Sequence, residues 1–228
     1  MGVLLAMLLY SAYLLFLGRI VWRIFLLAKI PGVTELPGPV RKKTGLLTLA
    51  KTFADIVFLS RLFKSNPCLW LWEWLFHATF VFVMLRHLRY VMDPPPSWLV
   101  SFQTFGTCSG FILPAALLII FVFKLTAESV RYVSTYNFFI LSLLLLISLS
   151  GILMRTISRV DVTSVKYFVL GALTFSPVTL PEGGIFLIHY LASLVLLVVI
   201  PSHIFTAPWS LMEARRRDDA LRMVLHGK

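Results

Sequence analysis

Five long apolar stretches, Val3–Leu27, Cys68–Met92, Phe105–Phe123, Asn137–Met154 and Gly184–Ala207, dominate this chain. A helix rises 1.5 Å per residue, so about 20 such residues cross the hydrocarbon core of a bilayer. The mean hydropathy of +0.89 and the 59% share of hydrophobic residues agree with that class. The sequence therefore predicts an all-α integral membrane protein with five transmembrane helices. No cleavable signal peptide is expected. The first stretch is too long for one, carries Arg19 and Arg23 in its second half and lacks a small-residue cleavage site.

The net charge of +11 could suggest nucleic acid, but its distribution reads as topology. With the N-terminus outside, fourteen Lys and Arg fall on inner segments, from Lys29 and Arg41–Lys43 to Arg215–Arg217 and Lys228. Five fall outside: Arg86, Arg89, Arg155, Arg159 and Lys166. The positive-inside rule then gives N-out, C-in. The expected partner is the lipid bilayer; no nucleic acid is implied. Cys68 and Cys108 form no CxxCH or CxxC and are expected as small buried residues.

The chain reads as a single transmembrane domain over residues 1–228, with no internal repeat. An inner loop, Pro31–Pro67, begins with an irregular basic part, Val33–Lys43, and continues as an amphipathic segment, Gly45–Lys64. Asp93-Pro94-Pro95-Pro96 ends the second span, and Pro114 is expected to kink the third. Val162–Phe175 is too short to span and is expected as a horizontal helix over the outer end. Residues 208–228 read as a charged inner tail.

Within this frame stand two pairs of histidines, His77 and His87 in the second span and His189 and His203 in the fifth. Ionisable side chains inside a membrane are costly and mark function by default. The first pair is separated by about 15 Å along the helix and the second by about 21 Å. The two spans run antiparallel, so level pairings are His77 with His203 near the inner face and His87 with His189 near the outer. Four imidazoles so arranged are what two stacked b-type haems require, one axial ligand from each side of each iron. Iron with both axial positions filled transfers electrons and leaves no position for substrate. Arg86, Arg89, Arg155 and Arg159 gather at the outer ends of the second and fourth spans. Their forked guanidinium groups suit haem propionates, Arg89 and Arg155 above all. Gly151 could let a flat macrocycle approach the backbone. His226 lies in the polar tail and reads as a surface residue.

The segment Trp74-Leu75-Phe76-His77 through His87, then Ile140–Leu144 with Gly151, then His189 with Pro201, resembles the gamma subunit of respiratory nitrate reductase. The likeness runs from the second span onward and includes Lys166–Phe175. It implies a five-span dihaem cytochrome b that passes electrons between the quinone pool and a cytoplasmic iron–sulfur subunit, beside other membrane subunits. It also implies His77, His87 and His189 as haem ligands. The family's fourth ligand position falls on Ala207, whereas His203 stands one turn earlier on nearly the same face. The chain is similar, too, to the cytochrome b subunits of the sulfite-reduction-associated, high-molecular-weight cytochrome and heterodisulfide reductase complexes. These relatives imply anaerobic respiration in a bacterial or archaeal cytoplasmic membrane, with menaquinone or another quinone as substrate. The quinone cavity of the resemblance would lie near His87, walled by Arg86, Tyr90 and the helix bearing Lys166. Arg86 stands where the nitrate reductase subunit carries a glycine.

Two other classes compete with electron transfer. A haem-free membrane scaffold would use the histidines to brace helices. A transporter would need acidic partners within the spans and internal repeats. Topology offers the first test. A phosphatase reporter fused after Lys166 should be active and one fused after Lys43 inactive; the reverse pattern inverts the orientation.

Overall fold

The computed structural model describes residues 2–29, 46–126, 135–176 and 179–203, and the description below is confined to them. Helices run α1 (Gly2–Lys29), α2 (Leu46–Phe58), α3 (Ser60–Ser65), α4 (Pro67–His87), α5 (Ser97–Ser101), α6 (Gln103–Thr126), α7 (Thr135–Thr156) and α8 (Val162–Leu173). The last, α9, is the helical stretch Gly184–His203. A tighter helical turn, Leu88–Tyr90, continues α4. Among the described residues five helices are long and apolar enough to cross a membrane: Gly2–Leu26, Pro67–Tyr90, Gln103–Thr126, Thr135–Thr156 and Gly184–His203. The charged tail, with Ala207 and His226, and the basic segment Val33–Lys43 lie outside the described residues.

Large apolar side chains cover the outside of this bundle, among them Leu14, Val21, Trp22, Val81, Phe105 and Leu118. That distribution suits lipid, in which an outward leucine is as well solvated as a buried one. It also corrects one expectation. Cys68 and Cys108 are exposed rather than buried, because a small apolar thiol on the outer face of such a bundle meets hydrocarbon either way.

Packing between α4, α6 and α7 makes the main core. Leu113, Leu117 and Ile120 of α6 and Leu141 of α7 are buried against Trp72, Phe76, Phe80 and Val83 of α4. The closest approach is at Gly106, where an added Cβ would stand 2.7 Å from the Arg86 Cβ and 3.1 Å from the Phe82 carbonyl oxygen. Only glycine lets the two helices meet there, as small residues do at membrane-helix crossings. The helix α6 runs on through the buried Pro114.

Local chemistry sets the helix ends. Asn66 caps α4 by accepting from the Leu69 N–H at 3.0 Å, and Pro67 occupies its first position. The expected single helix over Gly45–Lys64 is instead two, α2 and α3, broken at Leu59 with φ of 48°. The break lets the Trp70 indole donate to the Phe58 carbonyl at 2.7 Å and pack edge-on against Phe63. Asp161 caps α8, accepting from the Thr163 and Ser164 N–H groups at 3.1 and 2.9 Å. Those bonds, with the Ser164 hydroxyl foremost, hold its carboxyl below the usual carboxylate range. The cap therefore persists at neutral pH and is lost only as pH falls through that lowered value.

A second cluster fastens α8 to the ends of α1 and α9. Phe168 packs against Leu5 and Phe186, Tyr10 donates to the Ala172 carbonyl at 2.6 Å, and Tyr190 donates to the Leu5 carbonyl at 2.9 Å. Lys166 pairs with Asp93 at 2.7 Å. The apolar contacts outweigh the ion pair. Phe168→Ala should cost about 3 kcal/mol, whereas Asp93→Ala, at an exposed pair, should cost no more than about 1 kcal/mol. Thermal melts in detergent would show the order, and equal losses would contradict it.

Candidate functional site

In α4, His77 and His87 follow carbonyls four residues earlier on the same helix face. Each ring uses that acceptor: Nδ1 of His77 lies 2.6 Å from the Glu73 carbonyl oxygen, and Nδ1 of His87 lies 2.6 Å from that of Val83. A carbonyl can only accept, so both rings carry their proton on Nδ1 and present Nε2 with a free lone pair. His189 reaches the same state through another helix. Its Nδ1 stands 3.0 Å from the Ile147 carbonyl oxygen and 3.0 Å from the Ser150 hydroxyl, both on α7. A metal-bound imidazole is ordinarily held in this way, its second nitrogen donating to a carbonyl.

The structure brings His87 and His189 together. Their ring centres are 6.4 Å apart and their planes lie within 10° of parallel. Two imidazoles bound on opposite sides of one metal, through bonds of about 2 Å, have ring centres roughly 6 Å apart. His87 keeps accessible surface although protein atoms surround it, as a ring does in a cleft between helices. Among the described residues no three His, Cys, Asp or Glu side chains gather into a metal-binding group. A pair of imidazoles is a complete donor set only where the other ligands come with the metal, as the four porphyrin nitrogens of haem do. The His87/His189 pair therefore fits a haem iron.

The other two histidines also come near each other. His203, near the end of α9, lies within electrostatic reach of His77, Glu73 and Lys124. Glu73 is a residue that sequence reasoning missed. Its carboxylate pairs with Lys124 at 2.9 Å between α4 and α6, both side chains largely buried. Each residue alone looks like a stray charge beside an apolar run; the contact that joins them, from α4 to α6, is tertiary. A second missed residue is Ser150, whose bond to His189 the sequence does not advertise.

At the α8 end, Arg86, Arg89 and Arg155 lie within electrostatic reach of one another beside His87. The Nε atoms of Arg86 and Arg89 are buried with no hydrogen-bond partner among the described residues. Buried orphan donors on paired guanidinium groups fit carboxylates that arrive with a ligand. Arg89 also donates to the Tyr90 hydroxyl at 2.8 Å, and Tyr90 stands 5.9 Å from the His87 ring. Lys166 is turned to Asp93, and its helix packs on the Leu88–Tyr90 turn. Gly151 faces His189: an added Cβ would meet the ring Cε1 at 3.4 Å.

The chain is similar to two curated relatives, each named Hdr-like menaquinol oxidoreductase cytochrome b-like subunit. The one from Archaeoglobus fulgidus is 29% identical over 154 residues, 60% of this chain and 46% of the relative. The one from Archaeoglobus profundus is 30% identical over 152 residues, 58% of this chain and 44% of the relative. The chain thus spans about half the length of the curated relatives it matches. No protein-family model matches it, and no solved structure does. The likeness is to cytochrome b-like membrane subunits of this kind and is not specific to the nitrate reductase gamma subunit.

Breaking one half of the Glu73–Lys124 pair should be worse than removing both. Glu73→Gln or Lys124→Met leaves an uncompensated charge among apolar helices and should cost about 3 kcal/mol. The double variant should recover most of that loss in the same detergent melts; simple additivity would show that the two charges act independently.

Proposed function

We propose that this chain is a dihaem cytochrome b subunit of a respiratory complex in a bacterial or archaeal cytoplasmic membrane. It carries electrons between the menaquinone pool and a cytoplasmic iron–sulfur partner. The observation that carries the reading is the His87/His189 pair, parallel and at ligand spacing across α4 and α9. The names of the two archaeal relatives support a menaquinol-linked cytochrome b-like role.

His87 and His189 would hold one haem b, and His77 and His203 the other. Such a group, when bound, would supply reversible one-electron transfer. The chain's own residues do the rest. The carbonyls of Glu73, Val83 and Ile147 keep the Nδ1 protons in place and so aim Nε2 of three rings. Arg86, Arg89 and Arg155 supply positive charge for propionates, and Gly151 borders the His189 ring. Tyr90 and Arg86, under the helix bearing Lys166, form the wall for a menaquinol headgroup. With N-out, C-in topology that wall lies on the outer side, and the Glu73/Lys124 end faces the cytoplasmic partner.

The purified chain should contain two haems b and show a b-type α band in its reduced-minus-oxidised spectrum. His203→Ala should lose one centre. His87→Ala and His189→Ala should each lose the other. A colourless wild type favours the haem-free scaffold and ends this reading, while loss of one shared centre in His77→Ala and His87→Ala would overturn the pairing.

A further inference from the structure

We propose that Ser150 is a positioning residue for His189, setting its tautomer and basicity from α7 and thereby tuning the His87/His189 level separately from the His77 level. The proposal rests on the reading of His189 as a haem ligand.

The asymmetry between the histidines carries the argument. His77 and His87 are held by carbonyls of their own helix at 2.6 Å each. His189 instead crosses to α7, where one ring nitrogen meets two groups at 3.0 Å, the Ile147 carbonyl and the Ser150 hydroxyl. The hydroxyl is itself 2.9 Å from the Ile147 carbonyl oxygen. These three groups close a triangle with two protons to distribute. The carbonyl can only accept, so the imidazole donates from Nδ1 and the hydroxyl donates to the carbonyl. The hydroxyl oxygen then serves as a second acceptor for the Nδ1 proton. Ser150 is buried at 4% exposure, so no water competes for either bond. Beside it, Gly151 borders the same ring, whose Cε1 lies 3.4 Å from where a Cβ would stand.

An acceptor on Nδ1–H raises the electron density that Nε2 offers to a metal, which favours the oxidised state. Removing the hydroxyl should therefore raise the midpoint potential of the His87/His189 centre only. Ser148 offers a matched control, since its hydroxyl donates to the Leu145 carbonyl of the same helix at 3.0 Å and, among the described residues, bonds to no histidine.

Two measurements on the purified chain decide the matter. The first is a redox titration resolved by centre. Ser150→Ala should raise one midpoint and leave the other, Ser150→Thr should restore it by keeping the hydroxyl, and Ser148→Ala should change neither. The second is ¹⁵N NMR of the dithionite-reduced, histidine-labelled chain, with the His189 signal assigned through His189→Gln. Its Nδ1 should be protonated in the wild type, and its shift should move in Ser150→Ala alone. An unmoved His189 shift, or a midpoint unchanged or lowered by Ser150→Ala, overturns the proposal. A wild type without haem instead defeats the functional reading, and the nitrogen shift still judges the Ser150 bond on its own.

Discussion

An imidazole in hydrocarbon must put its ring proton on an acceptor, and the rest of this bundle is arranged around that need. A helix of neutral apolar residues has few acceptors to give, because its carbonyls are committed to the backbone ladder. Carbonyl oxygens have two lone pairs, however, and the fourth residue along can use the second. His77 and His87 do so within α4, and their remaining nitrogens are thereby aimed outward from the helix. His189 uses α7 for the same purpose, which ties the placement of one ring to the packing of a helix that carries no histidine. The rings are thus held by different means, His77 and His87 by their own helix and His189 by a neighbouring one.

Charge follows a similar division. The His77 level has a neutral pair beside it, with Glu73 matched by Lys124. The His87 level has a concentration of like charge, Arg86, Arg89 and Arg155, with buried guanidinium nitrogens left over. Like charges gathered together repel, and an anion beside them relieves that repulsion. The two ends of the bundle therefore present different chemistry to whatever approaches them.

Much of this was legible in the residues themselves. Spans follow from apolar length, and the pairing of His87 with His189 follows from antiparallel order and helical rise, because both are properties of a straight rod. The His77–His203 level was read in the same way, and the structure gives the neighbourhood of those two rings. What escaped depends on contacts between helices. Nothing local to Ser150 distinguishes it from Ser148, since both hydroxyls can bond back to their own helix; only the arrival of α9 separates them. The break at Leu59 was hidden for a like reason. A continuous amphipathic pattern is the better local solution, and Trp70 overrides it from the next helix. The burial expected for the cysteines failed because soluble-protein habit equates apolar with inside.

Arg19 shows how such long-range contacts act in time. Its guanidinium donates to the Val198 carbonyl at 2.8 Å, across 179 positions of sequence, while Tyr136 reaches the neighbouring Val199 carbonyl at 3.3 Å. Both acceptors lie in the turn before Pro201 and use the second lone pair of a helix carbonyl. At a synthesis rate of about 5–20 residues per second, roughly ten to forty seconds separate the emergence of that donor from the emergence of its acceptor. For that interval the first helix holds a cation with no mate in the last one. The contact between the first and fifth spans therefore closes only after the fifth has been made, and a fragment that stops short of it keeps Arg19 without this acceptor.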